Sequence, residues 1–530
     1  MNLLTDPWLF YRFHDGREEQ LPLTALVNPE VIDFALPRSD FQGAAYQFAI
    51  SLLQTLMAPI DTDEWLDSYQ SPPDPDIFTK ILNKAEHAFN LVGDGPLFMQ
   101  DLDPLTDIKS SPVSGLLIEA PGGNTIKNNT DHFIKRGITE ALSPEMAALA
   151  LFTLQINAPS GGQGHRVGLR GGGPLTTLVL PQEENTPLWQ KLWLNVIQKE
   201  KWDYPEPDLS SPDVFPWLGP TKISKNKNTE IYEHEVHPLT HYWAMPRRIR
   251  LELTDEEGIC QLSRKTSTQL VKTYRTSNYG NNYAGTWSHP LTHYRSNPKK
   301  PEEDHLSTKG QPGGIQYKQW QSLCFIDKEQ GNLPAAVIAH YFDISNDLME
   351  ELETEWSKAP RLWAFGYDMD NMKARGWYAS EFPLYHLNPE VRDRQIHIIQ
   401  DLQKLAEETA WQLRTQIKNA WFEKPGDAKG DFSFIDLQFW QATQAPFFTT
   451  VQAVLKNQDG WLDSQAAKNW MQQLSQAAHQ IFDQQVLTNL YPDREMHRKI
   501  KARRQLNGWL HGGKTAKQFK KNYCQQEEVA

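Results

Sequence analysis

Apolar residues recur at three- and four-residue steps in residues 40–57: Phe41, Ala44, Ala45, Phe48, Leu52 and Leu56. That spacing predicts a helix with one buried face, stopped by Pro59. A second helix is expected over residues 76–91, ending before the Gly-Asp-Gly-Pro turn at 93–96. A third is expected over residues 143–154, with Ser143 as its cap and Pro144 at the first helical position. Residues 3–13 read as extended and are broken by the turn at 14–16. A strand is also expected at 175–180. Residues 210–385 are rich in Pro, Gly, Tyr and Asn, and short strand-like runs such as 249–253 alternate with turn clusters. This region reads as irregular α+β with long surface loops, the kind of segment that carries function.

The pattern changes near residue 389. Leu402, Ala406, Ala410, Leu413, Ile417 and Trp421 form one helical stripe. A second helical run covers 436–455, with a kink expected at Pro446. A third places Trp470, Met471, Leu474, Ala478, Ile481 and Phe482 on one face, and a fourth covers about 493–510. Short connections make an antiparallel bundle the natural packing. The expected fold class is therefore α+β: an irregular mixed N-terminal domain, residues 1–388, followed by a C-terminal four-helix bundle, residues 389–530.

Length supports more than one domain, since 530 residues exceed one small core. The 18 Trp among 39% apolar residues exclude wholesale disorder. Three Cys, at 260, 324 and 524, are too far apart for a disulfide framework or a Cys-rich zinc ribbon. No run approaches the ~20 apolar residues that cross a bilayer. The N-terminus lacks a basic region and carries Asp6, unlike a signal peptide, so a cytoplasmic location is expected.

The net charge of −13 excludes a uniformly basic nucleic-acid protein, but the charge is segregated. Between residues 493 and 521, ten Lys and Arg face only Asp493 and Glu495. Such a stripe suits a polyanion backbone, or else a solvated helix face paired within the bundle. Residues 221–300 hold 13 basic against seven acidic residues. There Lys272, Tyr274, Arg275, Tyr279 and Tyr283 interleave cations and aromatics, as a nucleic-acid surface or a Tyr-rich hairpin would. Residues 160–173 are half glycine and contain Arg166 and Arg170 without an acid. Glycine lets a backbone approach a ligand closely, and two guanidinium groups favour phosphate. The P-loop and dinucleotide patterns both fail, because no Gly-Lys-Ser/Thr ends the segment and its glycine spacing is one residue too long.

Chemistry has weaker candidates. His234, His237, His241, His289 and His293 lie close in sequence, but Pro238 interrupts them and no H-E-x-x-H motif accompanies them. Asp368 and Asp370 are paired carboxylates in a turn-like stretch, which ordinary solvation explains. The sequence therefore argues for recognition, not an enzyme, with no cofactor and no metal site expected. A metal-dependent nuclease or hydrolase using the His234–His293 cluster is the alternative.

Several ordered motifs carry a resemblance: Asn2-Leu-Leu-Thr-Asp-Pro-Trp8, Leu36-Pro-Arg-Ser-Asp40, Pro96-Leu-Phe-Met-Gln100, Leu154-Gln-Ile-Asn-Ala-Pro159, the glycine segment, Met245-Pro-Arg-Arg-Ile-Arg250 and Gly366-Tyr-Asp-Met-Asp-Asn-Met-Lys373. Over nearly its whole length the chain resembles the CasA family, the large subunit of the type I-E CRISPR surveillance complex, Cascade. The resemblance implies a non-catalytic subunit that works with other Cascade subunits, CRISPR RNA, double-stranded target DNA and its displaced strand. It implies reading of the protospacer-adjacent motif (PAM), opening of the duplex, and later recruitment of a helicase-nuclease.

By the same resemblance, Ser160, Gly161, Gly162, Gln163 and Gly164 form a glycine loop at the minor groove, whose degenerate code suits several related PAMs. A basic finger falls within residues 272–278, with Arg275 first and Lys272 second as its cation. Asp370, Asn371, Met372 and Lys373 form a wedge under the first target pair. Asn124, Lys127, Asn128, Asn129 and Phe133 hold the guide RNA, and Arg498, Lys501, Arg503 and Arg504 guide the displaced strand. Some relatives carry paired Cys motifs for zinc. Here Cys260 is followed by Ser263, so such a site is expected to be degenerate or absent.

Overall fold

In the computed structural model, the described residues are 1–120, 137, 139–327, 329–351, 359–370, 373–488 and 495–525. The chain divides into two compact units. One comprises Met1–Gly314 with Leu323–Leu384, and the other comprises Ile315–Ser322 with Tyr385–Ala530.

The first unit is built on two buried helices. Ser39–Met57 is buried on nearly all sides, because Gly43, Ala44 and Ala45 leave room for neighbours around the whole cylinder. Its Phe48 meets Trp8, Phe89, Phe98, Phe152 and Trp243 edge-on, with ring centroids 5.2–6.0 Å apart. Pro144–Asn157 is apolar all round and is a core helix, not an amphipathic one. Ser143 occupies its cap position, but its hydroxyl makes no capping bond, so burial holds this helix start.

Two helices differ from expectation. The helix expected over 76–91 is Pro75–Asn83, capped by Asp74, with a separate tight turn at Glu86–Ala88. A further helix, Thr62–Gln70, starts at Asp61, whose carboxylate accepts from Glu64 N at 2.9 Å. It buries only Trp65 and Tyr69.

The sheets of this unit are small. Leu270–Ser277 is the centre of one, antiparallel to both Ser111–Pro112 and Arg248–Thr254. Arg361–Asp370 is the centre of another, between Lys373–Pro383 and Thr176–Leu180.

The second unit is a bundle of four helices: Arg392–Trp421, Ser433–Lys456, Ser464–Val486 and Met496–Gly512. The first packs against the other three. Its expected stripe is buried from Leu402 to Ile417. The second helix runs unbroken through Pro446. Residues Ile315–Ser322 join this unit and deliver Tyr317 and Trp320, both fully buried. No helix among the described residues is long and apolar enough to cross a membrane.

Candidate nucleic-acid interface

The glycine segment leaves the buried Pro144–Asn157 helix and turns at its exposed tip, residues 160–163. His165 N donates to Gly162 O at 3.2 Å, and Gly162 and Gly164 adopt φ of 92° and 78°, the left-handed region open to glycine. The N–H groups of Gly162, Gln163 and Gly164 have no acceptor among the described residues.

The two arginines of this segment are not offered to a ligand, contrary to the sequence reading. Arg170 is 4% exposed, and its guanidinium donates to Thr176, Thr292 and Gln47 at 2.7–3.1 Å. Burial pushes it down to about 10. Arg166 is tied to Ser224 through both its Nε and its terminal amine. Their partners lie 6 to 123 residues away in sequence, so composition gave no hint of this.

The basic-finger candidates lie on the Leu270–Ser277 strand. Lys272 Nζ pairs with Glu256 at 2.7 Å, and Arg275 Nε pairs with Glu252 at 2.7 Å while its terminal amine reaches Leu105 O. The strand's end, not these side chains, meets the glycine loop. Tyr279 N donates to Gly164 O at 2.7 Å, and Gln163 Nε2 donates to the Tyr279 hydroxyl at 3.3 Å. A Cβ on Gly164 would stand 2.8 Å from Asn278 Cβ, so only glycine permits this approach. Tyr279 itself has φ of 64°, a costly conformation for a bulky residue.

The far end of the segment runs into the Thr176–Leu180 strand and so into the hairpin sheet. A Cβ on Gly173 would stand 2.9 Å from Tyr367 O, and one on Gly366 would stand 2.6 Å from Pro174 O. The hairpin pairs Asp370 with Lys373 at its end. Both are exposed, whereas Asn371 and Met372 lie outside the described residues. Below the tip, Arg375 forks onto the buried Asp368 carboxylate at 2.7 and 3.0 Å. Asp368 therefore serves a cross-strand ion pair, and the same guanidinium lies 4.0 Å from Asp370, so one arginine offsets both acids. One glycine-rich run thus bridges the Asn278–Tyr279 turn and the hairpin, which are about ninety residues apart in sequence.

Two independent similarities accompany this geometry. The family described as "CRISPR-associated protein Cse1" matches residues 2–481. The chain belongs to the Cse1 family. Among solved structures it is similar to CasA of Thermus thermophilus, with 18% identity, TM-score 0.67, and 97% of this chain and 99% of that one covered. It is similar to Thermobifida fusca Cse1 at 16% identity and TM-score 0.69, over 97% of this chain and 98% of that one. A chain of a structure titled "CRISPR RNA-guided surveillance complex" matches at 16% identity and TM-score 0.58, over 96% and 99%. These likenesses establish a shared Cse1 fold.

In this Cse1 chain, the fourth bundle helix divides its cations into two kinds. Arg498 donates to Ala420 O and Trp421 O at the end of the first bundle helix, at 3.0 and 3.3 Å. Arg503 forks onto Asp483 at 2.6 and 2.8 Å. Lys501 and Arg504 are exposed and have no ion-pair partner among the described residues. The guide-RNA candidates Asn124, Lys127, Asn128, Asn129 and Phe133 lie outside the described residues.

The histidines do not converge on a shared ligand. His237 Nε2 lies 2.8 Å from Pro205 O, His241 Nε2 lies 2.9 Å from Glu233, and His293 Nδ1 lies 2.6 Å from Thr308 Oγ1. His289 Nδ1 accepts from Leu291 N, and burial holds this imidazole well below its ordinary value. Among the described residues, no group of three His, Cys, Asp or Glu is arranged to hold a metal ion. Tyr279 stands among the interleaved aromatics of the sequence and Asn278 at the end of the expected finger, but their contact with the glycine loop is not legible there. Their signal was local: Asn278-Tyr-Gly280 is a turn sequence directly after a strand.

Proposed function

We propose that this Cse1-family chain is the large subunit of a type I-E CRISPR RNA-guided surveillance complex. In this reading it recognises the PAM in double-stranded DNA, helps open the duplex beside it, positions the displaced strand and helps recruit a helicase-nuclease. The observation that carries the reading is the glycine-rich run between the Asn278–Tyr279 turn and the hairpin. An exposed backbone without side chains enters a minor groove, where A·T and T·A present the same acceptors and G·C differs only by its guanine amino group, so several related tags are read alike. A hairpin anchored beside it acts on the next base step. Unstacking that step costs a few kcal/mol, which PAM contacts and RNA–DNA pairing offset.

Within this reading the finger role passes from Lys272 and Arg275 toward the exposed Asn278, because Arg275 is paired across the sheet with Glu252 and Lys272 with Glu256 in the loop after the neighbouring strand. Lys501 and Arg504 are the cations left to follow a displaced strand. The test uses the assembled complex carrying Gly162→Val, Asn278→Ala or Lys272→Ala, with duplexes that do and do not carry the PAM. Gly162→Val and Asn278→Ala are expected to lower the affinity ratio between the two duplexes roughly tenfold, and Lys272→Ala to leave it unchanged. An unchanged ratio in the first two variants refutes the reading of the loop.

A further inference from the structure

Behind the glycine loop sits a cation that the proposed reading does not use. Arg247 precedes the Arg248–Thr254 strand, and its backbone is clamped by the buried Gln155. Arg247 N donates to Gln155 Oε1 at 2.9 Å, and Gln155 Nε2 donates to Arg247 O at 3.0 Å. The residue is only 9% exposed, yet no carboxylate lies within ion-pair distance among the described residues. Its neighbour Arg248 has Asp101 and Asp103, at 2.5 and 3.1 Å. Among the described residues the Arg247 side chain has one acceptor, Pro159 O, at the root of the loop, and its buried Nε has none. A guanidinium so placed has lost water and gained little in return.

The direction of the side chain supplies the reason to keep it. A Cβ on Gly161 would stand 2.6 Å from one terminal nitrogen of Arg247 and 3.1 Å from the other. The guanidinium therefore lies directly under the loop tip, where the N–H groups of Gly162, Gln163 and Gly164 also lack acceptors. His165, on the same turn, is pushed below its ordinary value by burial and then by the Arg247 charge, and an imidazole in either form is no counter-ion for a guanidinium. A buried cation without an acid, below a run of free backbone N–H groups, is an incomplete anion site.

We propose that Arg247 and the 162–164 backbone hold one phosphate of the DNA backbone, fixing the duplex in register for the loop. The inference rests on the reading of the loop as a duplex contact. It adds a phosphate anchor, which carries register and affinity but no sequence information.

The experiment measures affinity of the assembled complex for PAM and non-PAM duplexes between 50 and 300 mM salt (roughly the range over which phosphate contacts are screened). Arg247→Gln is expected to weaken binding to both duplexes roughly tenfold at low salt and to reduce the slope of log affinity against log salt by about one, with the PAM ratio kept. Arg247→Lys is expected to retain the slope. Gly161→Ala, whose methyl group would meet both the guanidinium and His165 Cβ at 2.6 Å, is expected to lose it as Arg247→Gln does. Melting temperature is measured alongside. Removing an unpaired buried charge is expected not to lower it.

A wild-type slope in Arg247→Gln and in Gly161→Ala overturns the proposal, as does a lowered melting temperature with unchanged binding, which would make Arg247 a loop strut. Inorganic phosphate at matched ionic strength is expected to leave wild-type binding unchanged. If it competes with wild type but not with Arg247→Gln, the site belongs to a free anion and the DNA assignment falls. A wild-type complex that binds both duplexes equally fails the reading of the loop, and it does so whatever the slopes.

Discussion

At the scale of single residues, this chain hides charge where its sequence displays it. Arg166 and Arg170 stand in a glycine-rich, acid-free stretch, the composition of a phosphate site. One is bonded to Ser224 and the other is sunk among Gln47, Thr176 and Thr292. Only contacts between distant residues decide this, and a linear reading has no access to them. The same logic gives a pH prediction. His340 is 3% exposed, both ring nitrogens lack hydrogen-bond partners among the described residues, and burial pushes it down to about 4. The unfolded chain takes up this proton near 6.5, so between 6.5 and 4 the unfolded state binds more protons and stability falls as pH falls. The neutral imidazole therefore costs the first unit about 2 kcal/mol between pH 7 and pH 5. His340→Phe, which keeps the ring beside Trp65, is expected to remove most of that acid sensitivity. Melts of wild type and variant at the two pH values provide the check, and equal acid-induced losses in both would refute it.

At the scale of elements, legibility followed periodicity. The Ser39–Met57 helix and the first and third bundle helices announce themselves through apolar residues at three- and four-residue steps. Thr62–Gln70 does not, because two buried aromatics in nine mostly polar residues make no stripe. The glycine loop was legible as a backbone that approaches something. Its contact with Tyr279 was not, since a strand end and a loop over a hundred residues away leave no shared pattern. The basic stripe of the fourth bundle helix was legible as charge but not as division of labour. Arg498 satisfies carbonyl oxygens at the end of another helix, a role that favours a cation there. Arg498→Ala is therefore expected to destabilise the bundle by about 1–2 kcal/mol in urea unfolding. Lys501→Ala with Arg504→Ala is expected to leave stability within about 0.5 kcal/mol. The same pair is expected to weaken single-stranded DNA binding and lower its salt slope by about 1.4, at roughly 0.7 for each lost contact. Equal destabilisation by both changes would erase the distinction.

At the scale of the whole chain, the two units are interleaved in sequence, and this has a consequence for how the bundle folds. A single cut near residue 385 would separate the bundle from residues Ile315–Ser322, which belong to it. That short piece is not decoration. The Tyr317 hydroxyl lies 2.9 Å from Thr443 Oγ1, its carbonyl accepts from Gln403 Nε2 at 2.8 Å, and its ring stacks on Phe447 with centroids 4.4 Å apart. Trp320 packs edge-on against Phe448 at 5.5 Å. Two fully buried aromatics fill a volume that helices Arg392–Trp421 and Ser433–Lys456 cannot close by themselves, and deleting one such ring costs about 3–5 kcal/mol. Residues 385–530 alone are therefore expected to be helical by far-ultraviolet circular dichroism but to lack a cooperative melt and a fixed aromatic environment. Joining residues 315–322 to that fragment through a flexible linker is expected to restore both. In the full chain, Tyr317→Ala is expected to lower the stability of the bundle transition while leaving that of the first unit nearly unchanged. A cooperative melt of 385–530 at the temperature of the linked fragment would mean that the insertion is dispensable, and the bundle would then have to find its packing energy in its own four helices.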